Sequence, residues 1–262
     1  MSRFGPLRVF AHGGGVQSTA ALVLQAERKI PWYTHVFANV GDDSENPDTL
    51  AYLRWVSSLY ARENLIGLSE VGRVNRAGQT ETLYSKLMKP GTRSVPIPVR
   101  MAEEGAPGTR NCTKTFKLDV IKKLKPEVIA IGFSVDELER VGRVDDGIPR
   151  EYPLIELGVT RKDCYQIIAR AGLPQPPKSS CWFCPFTPLG RWSERRRDRP
   201  DLFEKAAELE DHLNTVRDEL GKDHVYLTRR GRPLREAICE AQPTLFDAGP
   251  VSETCDEGVC FV

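Results

Sequence analysis

The sequence predicts an α/β fold with a parallel sheet and flanking helices, followed by a smaller helical C-terminal region. Residues 7–11 read as a short buried strand, residues 20–26 as a helix that Ile30 and Pro31 end, and residues 34–38 as a second strand. This order is a βαβ unit, in which the two strands are parallel, and a glycine-rich turn stands at its first junction. The length of 262 residues, with 40% hydrophobic and 28% charged, suits one large domain or a domain with a small appendage.

Later segments continue the pattern. Residues 49–61 and 160–171 carry apolar side chains at helical spacing, residues 128–132 read as a strand, and residues 200–220 form an amphipathic helix. The segment 91–107 is rich in Pro and Gly, which predicts a loop that closes over a substrate. The predicted organisation is therefore an α/β domain over residues 1–158, a helical cysteine-bearing region over 159–241 and a flexible tail over 242–262.

Charge and cysteine content restrict the function classes. Lys and Arg number 37 against 36 Asp and Glu, a net charge of +1, so binding of a polyanion requires local patches. No apolar run approaches the ~20 residues that span a bilayer, and no secretory signal is visible, so we expect a cytoplasmic protein without a membrane partner. Seven cysteines in a reducing compartment argue for thiolate chemistry or metal binding.

The turn after the first strand is the strongest candidate site. Backbone N–H groups of a glycine turn converge on an anion, and the following helix adds its positive end and two hydroxyls, which favours phosphate binding over a merely tight turn. There is no Gly-Lys-Ser/Thr ending of a Walker A loop and no further glycine of the dinucleotide fingerprint. The residues predicted to bind the phosphates are Gly13, Gly14, Gly15, Gln17, Ser18 and Thr19.

This turn resembles the Ser-Gly-Gly-x-Asp-Ser loop of the PP-loop superfamily of adenine-nucleotide α-hydrolases. That superfamily includes ATP pyrophosphatases, tRNA thiolation enzymes and phosphoadenosine-phosphosulfate (PAPS) reductases, and the resemblance implies a Rossmann-like fold. Two positions depart from the pattern: Gly13 stands where serine is usual and Gln17 where aspartate is usual. Glutamine hydrogen-bonds phosphate but supplies no charge to Mg²⁺, which puts metal dependence at that position in doubt.

Further segments are similar to the PAPS-reductase-like branch. The strand end at Ala38 and Asn39, similar to the Asp-Thr-Gly segment of that branch, would border the adenine. Residues 108–117 resemble an Arg-x-Cys…Lys block that ends at Lys117, and residues 132–140 resemble a Gly…Glu-Ser…Arg turn that runs from Gly132 to Arg140. The resemblance implies catalytic roles for Lys117 and Arg140. Cations are needed because the loop lacks a lysine, and Arg110 is a third candidate.

Acidic residues follow the second strand. Asp42, Asp43 and Glu45 come directly after its carboxyl end, where open α/β sheets bind ligands. They are candidates for Mg²⁺, and a solvated acidic loop is the equal alternative.

The cysteines fall into three groups. Cys181 and Cys184 form a Cys-x-x-Cys turn in a rigid loop, which favours a metal ion over a thioredoxin-type redox pair, and Cys112 offers a third ligand. A structural zinc or a [4Fe–4S] cluster with one open iron both remain; the resemblance favours the cluster. Cys164 and Cys239 stand among apolar residues and are assigned to the core.

Cys255 and Cys260 lie in the tail, where two thiols could carry or resolve a persulfide or ligate a metal, and we assign them to catalysis. Residues 242–246, from Gln242 to Phe246, resemble the Gln-x-x-Leu-Phe peptide that docks on the bacterial sliding clamp, although five such residues more often form an ordinary packing segment.

Arginines concentrate in the second half of the chain. They are interleaved with Trp192, Phe203 and Tyr226, a combination that grips phosphate backbone and stacks on bases, or that forms a solvated face. The arginines are Arg195, Arg196, Arg197, Arg199, Arg229, Arg230, Arg232 and Arg235.

The preferred function is an adenylating ATP pyrophosphatase that activates an oxygen acceptor for sulfur incorporation, as in DNA phosphorothioation or tRNA thiolation. The expected cofactors are ATP, Mg²⁺ and a [4Fe–4S] cluster, with Zn²⁺ as the alternative. The expected partners are tRNA or DNA and a sulfur donor such as a cysteine desulfurase. The alternatives are a PAPS-type reductase that uses Cys255 or Cys260, and a non-catalytic nucleotide-binding partner protein.

Overall fold

The computed structural model describes residues 6–91, 93–101, 107–142 and 146–238. Its contacts divide the described chain into two units. The first unit consists of residues 6–80 and 113–180, and the second of residues 81–112 and 181–238. Predictions for Cys239, Cys255, Cys260 and the 242–246 peptide lie outside the described residues.

The first unit contains a five-stranded sheet in which every neighbouring pair is parallel. The strands of the chain are β1 Arg8–Ala11, β2 Thr34–Asn39, β3 Leu68–Gly72, β4 Arg100–Met101, β5 Val128–Ile131, β6 Arg150–Glu151 and β7 Val225–Tyr226. The order in the large sheet is β3-β2-β1-β5-β6, and Phe10 of β1 aligns with His35 of β2 and with Ala130 of β5. The predicted Rossmann-like parallel sheet is confirmed.

Helices connect these strands. The α-helices are α1 Val16–Ala26, α2 Pro47–Val56, α3 Leu83–Leu87, α4 Asn111–Thr113, α5 Asp119–Lys122, α6 Pro153–Glu156, α7 Arg161–Arg170, α8 Leu189–Asp198, α9 Pro200–Glu219 and α10 Leu234–Ala237. Two π-helical turns, Ser57–Ala61 and Lys114–Leu118, continue α2 and precede α5, and Val135–Arg140 forms a 3-10 helix after β5.

Both faces of the sheet are covered. Phe10 packs with residues of α1 and α7 on one face, whereas Val9, Ala11 and Ile131 pack on the other. Because α7 belongs to the core of the first unit, that unit extends past residue 158 to residue 180. Cys164 of α7 is fully buried there, as predicted, and burial raises the pKa of its thiol to about 12.

Two buried histidines connect β1 to β2. His35 Nε2 lies 3.2 Å from Gln25 Oε1, an oxygen that only accepts, so His35 carries its proton on Nε2. Its Nδ1 therefore accepts from His12 Nδ1, 3.1 Å away. Burial lowers the pKa of His12 to about 3, and burial together with His12 lowers the pKa of His35 well below its usual value. Both rings are neutral parts of the core.

The second unit is mainly helical. Strands β4 and β7 pair antiparallel, and Ile97, Val99 and Arg100 are buried. Within the segment 91–107 that was predicted to close over a substrate, these three side chains thus pack inside the protein. In α9, the buried Glu210 carboxylate accepts the backbone N–H groups of Leu227 and Leu234, each at 2.6 Å.

The helices were also compared with the length and hydrophobicity of a membrane span. Among the described residues, no helix is long and apolar enough to cross a bilayer.

Candidate nucleotide-binding site and cysteine turn

The candidate nucleotide site lies at the carboxyl ends of β1 and β5, which are neighbours in the sheet. The order of strands reverses between these two neighbours, and open α/β sheets bind ligands outside the carboxyl ends of the strands at such a point. Residues 13–15 follow β1, and Gly132 follows β5. A Cβ at Gly132 would lie 3.1 Å from Phe10 Cζ and 3.6 Å from Ser18 N. The end of β5 thus lies beside the start of α1.

The loop between β1 and α1 requires glycine. Gly14 has a φ of +71°, and a Cβ there would lie 3.0 Å from Thr49 Cγ2 and 3.3 Å from Phe37 Cε2. At Gly15 a Cβ would lie 3.1 Å from Ser179 Oγ. The predicted glycine turn therefore owes its composition both to a left-handed backbone and to close approach of neighbouring side chains.

Ser179 is a residue of the site that sequence reasoning missed. It belongs to a segment that lies against the loop and α2: Thr49 Oγ1 donates to Lys178 O at 3.4 Å, and Asn46 N donates to Ser180 O at 3.1 Å. A hydroxyl consequently stands at the glycine loop although Gly13 replaces the usual serine. Nothing in the local sequence signals this contact, which forms across more than 120 residues.

The first turn of α1 is capped by its own hydroxyls. Ser18 Oγ and Thr19 Oγ1 each donate to Gly15 O at 3.0 Å, and Gly15 N donates to Ser18 Oγ at 3.1 Å. The first intrahelical bond runs from Thr19 N to Gly15 O, so the N–H groups of residues 16–18 precede the helical ladder. These N–H groups and the helix dipole suit an anion.

Gln17 lies between an acid and a base. Its Nε2 donates to Glu137 Oε2 at 2.9 Å, and its Oε1 accepts from Arg161 Nη1 at 3.0 Å. Arg140, predicted to face the phosphates, pairs with Glu137 and stacks over Phe133 at 4.3 Å. The structure thus brings Gln17 and Arg140 together through Glu137. Arg161 was not predicted from the sequence.

The end of β2 carries the residues predicted to border the adenine. Ala38 is buried in the sheet, and Asn39 Nδ2 donates to Asp42 Oδ1 at 2.8 Å and to Glu70 Oε2 at 3.0 Å. Arg54 bonds the same two carboxylates. Its hydrogen bond is the main reason that the pKa of Asp42 is lowered. Asn39 is thereby held within an acidic cluster at the strand end.

Lys117 pairs with a buried acid. Its Nζ lies 3.9 Å from Glu45 Oε1, and the two side chains are 14% and 2% exposed. Burial raises the pKa of Glu45, and Lys117 opposes that shift. Lys117 stands on the π-helical turn Lys114–Leu118, a deformation that is frequent at functional sites.

The acidic residues do not fit a magnesium site. Asp42 bonds Arg54, Glu45 pairs with Lys117, and Gln17 Oε1 is occupied by Arg161. Two of the three acids that were candidates for Mg²⁺, Asp42 and Glu45, thus already have a cationic partner, whereas Asp43 accepts from Ser44 Oγ at 2.7 Å. Among residues 6–91, 93–101, 107–142 and 146–238, no three His, Cys, Asp or Glu side chains are grouped to hold a metal ion.

The second unit contains the Cys-x-x-Cys turn. Cys184 N donates to Cys181 O at 3.2 Å, which closes a tight turn, and the intervening Trp182 and Phe183 are buried. Arg195 Nη1 donates to Trp182 O at 2.5 Å. Burial lowers the pKa of Arg195 to about 10, while Cys184 and Cys181 raise it. The thiols therefore lie on a tight turn next to a partly buried cation.

Cys112 belongs to the same unit, where its N–H donates to Pro96 O at 2.8 Å. Cys112, Cys181 and Cys184 are each partly exposed. Because the described residues contain no group of three metal-binding side chains, they do not by themselves complete the predicted three-cysteine site. Two thiols on one turn fit part of the ligand set of a zinc ion or an iron–sulfur cluster.

Two of the three aromatic residues named for the predicted base-stacking surface do not contribute to it, whereas Tyr226 is partly exposed. Trp192 and Phe203 are buried, and their rings contact each other with centroids 6.4 Å apart. Arg196 donates to Ile238 O, and Arg235 bonds Glu204 and Asp211 on α9. Trp192 is the one buried residue of α8, and it packs against Phe203 on the apolar face of α9.

The comparisons with known proteins are as follows. No family model and no curated protein matches the chain. A PAPS reductase from Candida auris, solved as a phosphate complex, is 13% identical with a TM-score of 0.43, and the match covers 66% of this chain and 76% of that chain. The U34-tRNA thiolase NcsA from Methanococcus maripaludis, solved with its [4Fe–4S] cluster, is 13% identical with a TM-score of 0.43, covering 83% of this chain and 72% of that chain.

Proposed function

We propose that the chain is an adenylating ATP pyrophosphatase that activates an oxygen acceptor in tRNA or DNA for replacement by sulfur. The observation that carries the proposal is the glycine loop at the point where the strand order reverses. The N–H groups at the start of α1 and the close approach of Gly132 support an anion site at the carboxyl edge of the sheet.

The loop residues would bind the pyrophosphate of ATP, and Ala38 and Asn39 would border the adenine. An acceptor oxygen attacks the α-phosphorus, a P–O bond to the acceptor forms, and the P–O bond to pyrophosphate breaks. A sulfur nucleophile at the level of hydrosulfide then displaces AMP from the acceptor. Both steps are substitutions and require no oxidant or reductant.

Two cations have proposed catalytic roles. Lys117 and Arg140 would stabilise charge on the phosphates, and both are held by carboxylates of the first unit, Glu45 and Glu137. Sulfur from a donor such as a cysteine desulfurase would arrive as a persulfide on Cys255 or Cys260. Attack by the other thiol would release hydrosulfide and leave a Cys255–Cys260 disulfide, which an external thiol would reduce. A cluster at Cys112, Cys181 and Cys184, when bound, would supply a site for sulfide.

Anaerobically purified protein incubated with α-labelled ATP tests the proposal, with and without tRNA or DNA. We expect AMP and pyrophosphate, formed faster with the true acceptor. Lys117→Gln should slow the reaction, whereas Lys123→Gln, an exposed lysine nearby, should not. Sulfite release from PAPS without ATP turnover would support the reductase instead. Nucleotide binding without either product would support a non-catalytic partner protein.

A further inference from the structure

The guanidinium of Arg161, the first residue of α7, lies at the start of α1, while the backbone N–H of the same residue donates to Asp136 Oδ2 at 2.5 Å. Its Nη1 donates to Gln17 Oε1 at 3.0 Å, and its Nη2 donates to Tyr165 Oη at 3.4 Å. Its Nε is buried and has no hydrogen-bond partner, and no carboxylate lies within ion-pair distance of its guanidinium in the described part of the chain. A half-buried charge of this kind is stabilised when an anion joins it.

The other charges around Gln17 are already compensated. Glu137 accepts from Gln17 Nε2 and pairs with Arg140, so these two charges cancel. Gln17, Glu137, Arg140 and Arg161 are here called the Gln17 corner. Asp136 lies beside this group, where its Oδ2 accepts from the backbone N–H of Arg161 at 2.5 Å. An aspartate at position 17 would add a further carboxylate.

Glutamine is the residue that position 17 needs in this setting. It must accept from Arg161 and donate to Glu137 at the same time, and among the side chains of this shape only an amide does both. An aspartate would form an ion pair with Arg161 and face Glu137 with like charge. The departure from the Ser-Gly-Gly-x-Asp-Ser pattern is thus matched by its neighbours.

We propose that Arg161 binds the pyrophosphate end of the nucleoside triphosphate at the start of α1, and that Gln17 positions its guanidinium. The inference rests on the proposed function, because it assumes that the glycine loop binds nucleotide. Phosphate is the anion that a planar guanidinium binds through two parallel hydrogen bonds, and the N–H groups of residues 16–18 supply further donors beside it. Protein charge then takes the role that a carboxylate-bound cation would have at position 17.

Equilibrium titrations of ATP, inorganic pyrophosphate and adenosine test this, each with Mg²⁺ and with EDTA. Arg161→Gln should weaken the binding of ATP and of pyrophosphate by about tenfold or more, because a charged hydrogen bond to phosphate is lost. The affinity for adenosine should stay unchanged. Arg161→Lys should lose less, since charge remains. Arg170→Gln, an exposed arginine on the same helix, is the control and should bind ATP as the wild type does.

Gln17→Asp distinguishes phosphate binding by Arg161 from phosphate binding through a Mg²⁺ ion at position 17. We expect this variant to bind ATP more weakly both with and without Mg²⁺, because the new carboxylate pairs with Arg161. Tighter binding that appears only with Mg²⁺ would overturn the inference. Equal affinities of wild type and Arg161→Gln for ATP, or equal losses for Arg161→Gln and Arg161→Lys, would also overturn it while the proposed function stands. A wild-type protein that binds no ATP would instead remove the proposed function, and this inference with it.

Discussion

The glycine loop of the first unit and the cysteine turn of the second differ in how completely their chemistry is assembled. Around the loop, the strand order, the helix start and the Gln17 corner are all in place within one unit. The cysteine turn offers two thiols beside Arg195, and the described residues supply no complete metal-binding group. An anion site can thus arise from the backbone topology of one unit, whereas a metal site requires side chains from distant positions to lie close together.

The largest expected effect is on the loop itself. Gly14→Ala should abolish measurable ATP binding, because it combines a φ of +71° with a Cβ placed 3.0 Å from Thr49 Cγ2. Gly172→Ala is the matched control: its φ is +70°, and nothing lies within 4 Å of its Cβ position. Calorimetric titration with ATP measures both variants. An equal loss of ATP affinity in both variants would show that backbone strain, and not the position of Gly14 in the loop, weakens binding.

The second prediction concerns the cysteine turn. Cys181→Ser should remove the iron and acid-labile sulfide from anaerobically purified protein while ATP binding remains, since the two regions belong to different units. Cys164→Ser should keep the metal, because Cys164 is buried in the core of the first unit. Zinc without sulfide would select the zinc alternative. A wild-type protein with neither metal would contradict the predicted metal site.

The third prediction is that a change of pH shifts the stability of the two units in opposite directions. The pKa of His12 falls from 6.5 to about 3 in the folded state, so its contribution to stability is complete above pH 6.5 and is lost as the pH falls towards 3. The loss grows with each pH unit below 6.5. His35, with its pKa also lowered by burial, acts in the same direction.

Glu210 acts in the opposite sense. Burial raises its pKa from 4.5 to about 7, so the folded unit binds more protons between these values. Its contribution is complete below pH 4.5 and is lost as the pH rises through 7. Hydrogen exchange, corrected for intrinsic rates, should show protection of α1 decreasing and that of α9 increasing from pH 7 to pH 5. The Glu210→Gln variant should lose the α9 trend, and parallel trends in both units would argue against these two assignments.

Much of the first unit could be predicted from sequence. Apolar strands, an amphipathic helix and a glycine turn are local patterns, and they located β1, α1 and β2 and the loop between them. The burial of Cys164 followed from its place on the apolar face of α7. Local periodicity suffices for such features because each depends on residues within one or two turns.

The remainder depends on contacts between distant residues. Arg161 meets Gln17 across 144 positions, and Glu137 meets it across 120. Trp192 and Phe203 were read as a surface because they stand among arginines, yet the two rings pack against each other across α8 and α9 and are buried. No local pattern distinguishes an arginine that binds a backbone carbonyl, such as Arg195, from one that binds nucleic acid.

Hydrogen exchange of the wild-type chain with and without ATP tests the central claim most directly. If the nucleotide binds at the glycine loop, ATP should slow exchange of the backbone N–H groups of residues 13–18 in the first unit. Exchange in residues 181–184 should not change. Protection confined to the cysteine turn, or no change at residues 13–18 at an ATP concentration that saturates binding, would contradict the account.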